Sequence, residues 1–207
     1  MSNVKETVMQ FGEGGFLRGF VDYFFHKLNE QGLYDGKIVV VQPIEKGMCQ
    51  MLADQNCEYN LFLRGIDNGE VVNEHTHITS ISRALNPYTQ YDEYMKLAEN
   101  PDLRVIVSNT TEAGIEYLGT ESQTDAPAKS YPAKLTQFLY KRFELGLNGF
   151  ILLPCELIDN NGDKLKACVL KYTDLWDLGD EFKNWIENEN DFCNTLVDRI
   201  VTGYPRG

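Results

Sequence analysis

Apolar and polar positions along the chain change their period repeatedly, and each change marks an element. Thr7-Val8-Met9-Gln10-Phe11 is a β-prone run that leads directly into a glycine-rich stretch. Beyond it, apolar residues at Phe16, Leu17, Phe20, Val21, Phe24, Phe25 and Leu28 keep the 3.6-residue rhythm of a helix that buries one face, and Gln31-Gly32 stops it. The run Lys37-Ile38-Val39-Val40-Val41-Gln42 is almost wholly β-branched before Pro43, the pattern of a parallel strand buried on both faces. Strand, turn, helix and strand thus fill about forty residues, the size of one βαβ unit.

Residues 59–66 and 70–81 are two further β-rich stretches, and Asp67-Asn68-Gly69 between them signals a tight hairpin inserted after the first βαβ unit. A helix is predicted over 91–99. Leu103-Arg104-Val105-Ile106-Val107-Ser108-Asn109 then returns to the buried-strand pattern. Residues 120–129 are polar, include Pro127 and read as a loop, whereas 133–145 form an amphipathic helix. Phe150-Ile151-Leu152-Leu153-Pro154-Cys155 is another core strand, followed by helical segments over 163–177 and 180–188. This is the alternation of an α/β fold, with a mostly parallel sheet flanked by helices. At 207 residues the chain holds one well-packed domain, with room for a small appendage.

Composition narrows the function classes. The hydrophobic fraction of 43% is enough for a real core, and the net charge of -12 argues against nucleic-acid binding, which demands clustered Lys and Arg. Five cysteines (Cys49, Cys57, Cys155, Cys168, Cys193) without a C-x-x-C pair suggest reduced, mostly buried thiols. No signal peptide and no membrane-spanning run is evident, so a cytoplasmic, soluble protein with no membrane partner is expected. His26, His75 and His77 supply no third ligand for a metal, and none is expected.

Two stretches carry candidate chemistry. In Gly12-Glu13-Gly14-Gly15-Phe16-Leu17-Arg18, Gly12 and Gly14 fit the first two positions of G-x-G-x-x-G, and Leu17 stands at the third. A strand before it and a helix after it are what a turn cradling a dinucleotide pyrophosphate requires. A glycine-rich turn without a ligand is the plainer alternative. Arg18 is expected either near a phosphate or carboxylate or exposed on the first helical turn. Gln42 ends the second strand, where an acidic residue would normally meet the adenosine ribose. With no guanidinium nearby, NAD is favoured over NADP. Ser108-Asn109-Thr110-Thr111-Glu112-Ala113-Gly114 follows a buried strand and so lies at the carboxyl edge of the sheet. Ser108, Asn109, Thr110 and Glu112 suit a ribose or nicotinamide amide, or else form a capped turn. No lysine or tyrosine stands out as the proton donor that hydride transfer requires.

Several pieces, taken in order, resemble the long-chain mannitol dehydrogenase family of polyol and sugar-acid oxidoreductases. They are Gln10-Phe11-Gly12-Glu13-Gly14-Gly15-Phe16-Leu17-Arg18, Val107-Ser108-Asn109-Thr110-Thr111-Glu112-Ala113-Gly114-Ile115, Tyr131-Pro132-Ala133-Lys134-Leu135-Thr136, Pro154-Cys155-Glu156-Leu157-Ile158, Asn161-Gly162-Asp163 and Phe192-Cys193-Asn194-Thr195-Leu196-Val197-Asp198-Arg199-Ile200. Phe16 and Arg18 are in register with the family pattern G-x-G-x-F-x-R, and the Cys-Glu-Leu-Ile and Phe-Cys-Asn-Thr pieces point to the altronate branch.

The resemblance implies a Rossmann-like, NAD-binding domain over residues 1–207, with a β-hairpin insertion and a small sugar-acid as substrate. It places Asn194 and Asp198 at the substrate edge. It further implies a mostly helical second domain with the catalytic lysine of a Lys-x4-Asn-x2-His motif. That motif does not occur here, so an N-terminal domain lacking its catalytic partner is expected. Relatives acting on mannitol have an asparagine where this chain has Leu157, which cannot polarise a carbonyl. Fructuronate reductase, mannitol dehydrogenase and a non-catalytic NAD-sensing module are the alternatives.

Overall fold

In chain order, β1 (Glu6–Phe11) is followed by α1 (Gly15–Gly19), α2 (Val21–Glu30), β2 (Lys37–Val41), α3 (Cys49–Asp54), β3 (Tyr59–Asp67), β4 (Glu70–Ile78) and β5 (Ile81–Leu85). Then come α4 (Tyr91–Lys96), β6 (Val105–Ser108), α5 (Tyr131–Glu144), β7 (Ile151–Pro154), α6 (Asn161–Leu175), α7 (Asp180–Asn188) and β8 (Asp191–Phe192). The computed structural model describes residues 4–111 and 113–203. The main sheet has the order β5-β2-β1-β6-β7-β8, and every pairing in it is parallel. The expected fold class is therefore observed: an α/β Rossmann-like sheet with helices on both faces and a separate hairpin.

Strand residues alternate between two cores. Met9, Phe11, Val39, Val41 and Ile106 pack on the side of α4 to α7 with Tyr94, Leu135, Phe138 and Phe182. Val8, Ile38, Val40 and Val107 pack on the opposite side with Leu17 and Leu52. Burial on both faces is why these runs carry no polar alternation, and each fully buried Val, Ile or Leu contributes roughly 1.5–3 kcal/mol. Arg142 on α5 is an unusual core residue: its guanidinium donates to the carbonyls of Ala98, Asn100 and Leu103, and its Nε to Asn148. It ties the turn before β6 to the helix that covers it.

The hairpin β3–β4 closes at Asn68 and Gly69, both at positive φ, as a tight two-residue turn requires. Three expectations need correction. The stretch 70–81 is not one strand, because the chain leaves the hairpin after Ile78 and Ile81 joins the main sheet beside β2. The first helix is broken at Phe20 (φ -123, ψ -83). There the Tyr59 hydroxyl takes the Arg18 carbonyl at 2.7 Å, and Val201 crowds Gly19, so the helix restarts in a new direction. As a result Phe24 and Leu28 lie partly exposed rather than in the core, with the Arg199 guanidinium over the Phe20, Tyr23 and Phe24 rings. The short helix α3 also falls where no helix was predicted.

Candidate functional site

The carboxyl ends of β2, β1, β6 and β7 lie side by side, and the sheet's order reverses at β1, whose neighbours are β2 and β6. Crevices of this kind are where open α/β sheets take ligands. The glycine turn sits at that point. Gly12 has φ +121, and a Cβ there would stand 2.7 Å from the Asn109 carbonyl oxygen. Only glycine lets the turn after β1 and the loop after β6 approach this closely. Gly14 and Gly15 are exposed; a Cβ on Gly14 would meet nothing within 4 Å, and one on Gly15 only Val201 at 3.9 Å. The first-turn amides of α1 have no intrahelical acceptor. Leu17, at the third fingerprint position, is buried and packs on Val8 and Val40, so a side chain fills the space that a glycine would leave between helix and strand. Phe16 is half-buried against Phe20.

Arg18 is neither exposed nor on the open side of the turn. It is 6% exposed, and its guanidinium lies over the Tyr59 ring, 5.6 Å from the centroid. It faces inward, toward the fully buried Asp22. On the β2 side, the Glu13 carboxylate accepts the Met48 N–H at 3.0 Å. Gln42 is buried and uses its whole amide on the loop 43–49: Nε2 donates to the Ile44 and Glu45 carbonyls, and Oε1 accepts from the Cys49 N–H. Gly47 packs against both Glu13 and Gln42, with no room for a side chain. These residues build the wall beside the glycine turn, and Gln42 in this arrangement is engaged in shaping that wall.

On the β6 side, Ser108 and Thr110 converge on a residue not singled out as a site from sequence, Glu156. Ser108 Oγ donates to Glu156 Oε2 at 3.1 Å, and the Thr110 N–H and Oγ1 both donate to Oε1 at 2.9 Å. Asn109 Nδ2 donates to the Cys155 carbonyl at 2.7 Å, and its N–H to Phe11. Tyr131 is buried beneath, its ring 4.8 Å from Phe11. Burial pushes its hydroxyl well up, and the neighbouring Glu156 adds to the effect. Glu112 lies outside the described residues. Glu156 stood in the sequence beside Cys155, but its partners are far away along the chain and no local spacing announces them.

Residues 193–203 follow β8 without regular secondary structure and pass from beside the end of β7 to the glycine turn. Asn161 Nδ2 donates to the Pro154 and Glu156 carbonyls and to Thr195 Oγ1, while its Oδ1 accepts from the Thr195 N–H. Thr195 Oγ1 in turn donates to the Pro154 carbonyl. Asn194 exchanges hydrogen bonds with the Asp163 N–H and carboxylate at the start of α6. Val201 ends against Gly15 and Gly19. Between these anchors Asp198 is exposed, along with Leu196 and Ile200. Leu157 is exposed after β7.

The histidines and cysteines lie apart from this edge or are inert. His26 Nδ1 accepts the Thr79 N–H, and His75 and His77 share Asn60 on one face of the hairpin. Among the described residues, no three His, Cys, Asp or Glu form a metal-binding group, and no helix is long and apolar enough to cross a membrane. Burial pushes the Cys49 and Cys155 thiols up to about 12, far from the range of a nucleophile at neutral pH.

Comparison with known proteins supplies the lineage. The mannitol dehydrogenase Rossmann domain family matches residues 6–207. The chain is 54% identical over 205 residues to an altronate oxidoreductase of Phocaeicola vulgatus and 55% identical over 205 residues to one of Bacteroides thetaiotaomicron. Each match covers 97% of this chain and 43% of the relative. An altronate oxidoreductase of Halalkalibacterium halodurans is 45% identical over 99% of the chain and 41% of its own length. The chain thus spans less than half the length of these relatives. Among solved structures, the fold resembles Pseudomonas fluorescens mannitol 2-dehydrogenase in a ternary complex with NAD and D-mannitol, with TM-score 0.81 and 22% identity over 96% of this chain and 43% of that one. It also resembles a substrate-free D-sorbitol dehydrogenase, with TM-score 0.78 and 20% identity over 94% of this chain and 43% of the other. With the family match running over nearly all of its length, and with the family's glycine turn at the switch point of a parallel sheet, this chain belongs to the mannitol dehydrogenase family, whose Rossmann domain it forms.

Proposed function

We propose that this chain is the dinucleotide-binding part of an NAD-dependent altronate oxidoreductase, which interconverts D-altronate and D-tagaturonate in the cytoplasm. The observation that carries this reading is an open glycine turn at the sheet's switch point in a chain more than half identical to altronate oxidoreductases. The exposed turn at Gly14 and Gly15, with Glu13 and Phe16 on either side, would receive the pyrophosphate. Gln42 and Glu13 would shape the adenosine side, which offers an amide and a carboxylate rather than the guanidinium that a 2′-phosphate wants. Ser108, Asn109 and Thr110, held by Glu156, would line the nicotinamide side, with Glu112 assigned there from its place in the motif. When bound, the nicotinamide ring accepts or returns the hydride.

Asn194 and Asp198 would face the sugar-acid. The remaining part of the enzyme, bearing the proton-transferring lysine, would dock on the carboxyl edge where Leu157, Leu196 and Ile200 are exposed. The test is to assay the full-length protein with NAD against altronate, mannonate and mannitol. Turnover of altronate above the other two is expected, and turnover of mannitol alone would overturn the reading.

A further inference from the structure

Asp22, on the first turn of α2, is a fully buried carboxyl to which the cofactor reading gives no role. It lies beneath the glycine turn, and both ends of that turn are tied to side chains that meet at it. At the far end, the Tyr59 hydroxyl is within reach of both the Arg18 carbonyl, at 2.7 Å, and Asp22 Oδ2, at 3.3 Å. At the near end, Gln10 Nε2 donates to the Gly12 carbonyl at 3.0 Å, and the same amide acts on the Asp22 carboxyl. The Arg18 guanidinium, buried over the Tyr59 ring, supplies the positive charge. From the segment before β5, Ser80 Oγ donates to the Asp22 backbone carbonyl at 2.7 Å. One turn further along α2, His26 is occupied with the Thr79 N–H. These groups come from β1, α1, the hairpin, the segment before β5 and α2 itself.

The carboxyl's ionisation is governed by its burial and by the same groups that tie it to the turn. Burial raises it from 3.8 to about 7, against the opposing pull of Gln10, Tyr59 and Arg18. A carboxyl whose folded pKa lies above its unfolded value binds its proton more tightly in the folded state. Its contribution to stability is therefore present in acid and lost as pH rises from the unfolded value through about 7. At alkaline pH the ionised group is a net cost to the fold, and a neutral side chain of the same shape would avoid it. Stability held back at one buried position in this way is characteristic of sites under another constraint.

We propose that Asp22 is the positioning residue of the glycine turn, setting through Tyr59, Gln10 and Arg18 the shape of residues 12–18 and hence how tightly the turn holds a dinucleotide pyrophosphate. The second half of this statement rests on the cofactor reading. Protonated, the carboxyl can donate to the Tyr59 oxygen and leaves the single Tyr59 proton to the Arg18 carbonyl, so the tie to the turn is complete. Ionised, it can only accept and competes with the Arg18 carbonyl for that one proton, so the tie to the turn loosens.

The test follows the backbone amide resonances of residues 12–19 by NMR on either side of neutral pH, alongside NADH affinity. In the wild type these amides should titrate together, and NADH should bind about tenfold more weakly on the alkaline side. Asp22→Asn should abolish the titration and hold affinity near the wild-type acid limit at every pH. Should that variant fail to fold, Tyr59→Phe carries the test, removing the titration at residues 18–19 while Gly12 retains it. Turn amides that stay still across the pH range, or that titrate unchanged in Asp22→Asn, overturn the assignment. NADH affinity independent of pH overturns it while leaving the cofactor reading intact. Titrating amides with no NADH binding at any pH support the positioning role and sink the cofactor reading.

Discussion

Glu156 organises the loop after β6 from a distance. Its carboxylate accepts from Ser108 Oγ, the Thr110 N–H and Thr110 Oγ1, and it is almost wholly buried. Glu156→Ala removes both acceptor oxygens, so the Thr110 N–H, Thr110 Oγ1 and Ser108 Oγ lose this partner away from water. A loss of about 2 kcal/mol in urea denaturation is expected, with unchanged denaturant dependence. A loss below about 0.5 kcal/mol would show that the loop does not depend on this carboxylate. Residue-scale roles were the least legible part of the sequence. Gly12 was readable because only a tight turn explains a glycine there. Gln42 was read toward a ribose, yet its amide is spent on the backbone of the loop 43–49, a use that no spacing rule reveals. Arg18 was read as facing a phosphate or carboxylate, or as exposed; it is buried over Tyr59 and acts on the Asp22 carboxyl, and these two residues belong to a hairpin and to a helix beyond an unforeseen break.

The elements were more legible, because strands buried on both faces and amphipathic helices leave strong patterns. What the pattern misses is how elements lock together. Asn161-Gly162-Asp163 and the stretch 192–200 read as separate motifs, but in the fold they are two halves of one clasp: Asn161 bonds Thr195, Asp163 bonds Asn194, and Gly162 admits the backbone between them. A Cβ on Gly162 would lie 2.5 Å from the Cys193 carbonyl oxygen, a backbone atom that cannot swing aside. Gly162→Ala should therefore lift residues 193–203 off α6 and away from the glycine turn. The expected result is rapid limited proteolysis within 194–203 and a stability loss of about 2 kcal/mol, mainly from broken hydrogen bonds. Alanine is otherwise the better helix former, so a stabilised Gly162→Ala variant would mean that the clasp is absent in solution.

At the scale of the whole molecule, charge and site pull against each other. The chain carries a net charge of -12, while a dinucleotide is itself an anion. In the proposed reading the glycine turn would meet this with backbone amides, and Arg18, at the end of the turn, is buried rather than displayed at the mouth. Contacts within a few ångströms are hardly screened by salt, but the repulsion from carboxylates across the surface acts over a distance comparable to the Debye length. That length shrinks from about 30 Å at 0.01 M salt to about 10 Å at 0.1 M. Raising the salt should therefore remove more repulsion than attraction, tightening NADH binding to this chain by roughly twofold over that range in isothermal titration. A site built on exposed lysines and arginines would do the opposite, as phosphate-binding surfaces with released counterions do. Several-fold weakening of NADH binding with added salt would mean that surface cations carry the interaction, and would contradict a pyrophosphate held by the amides of the turn.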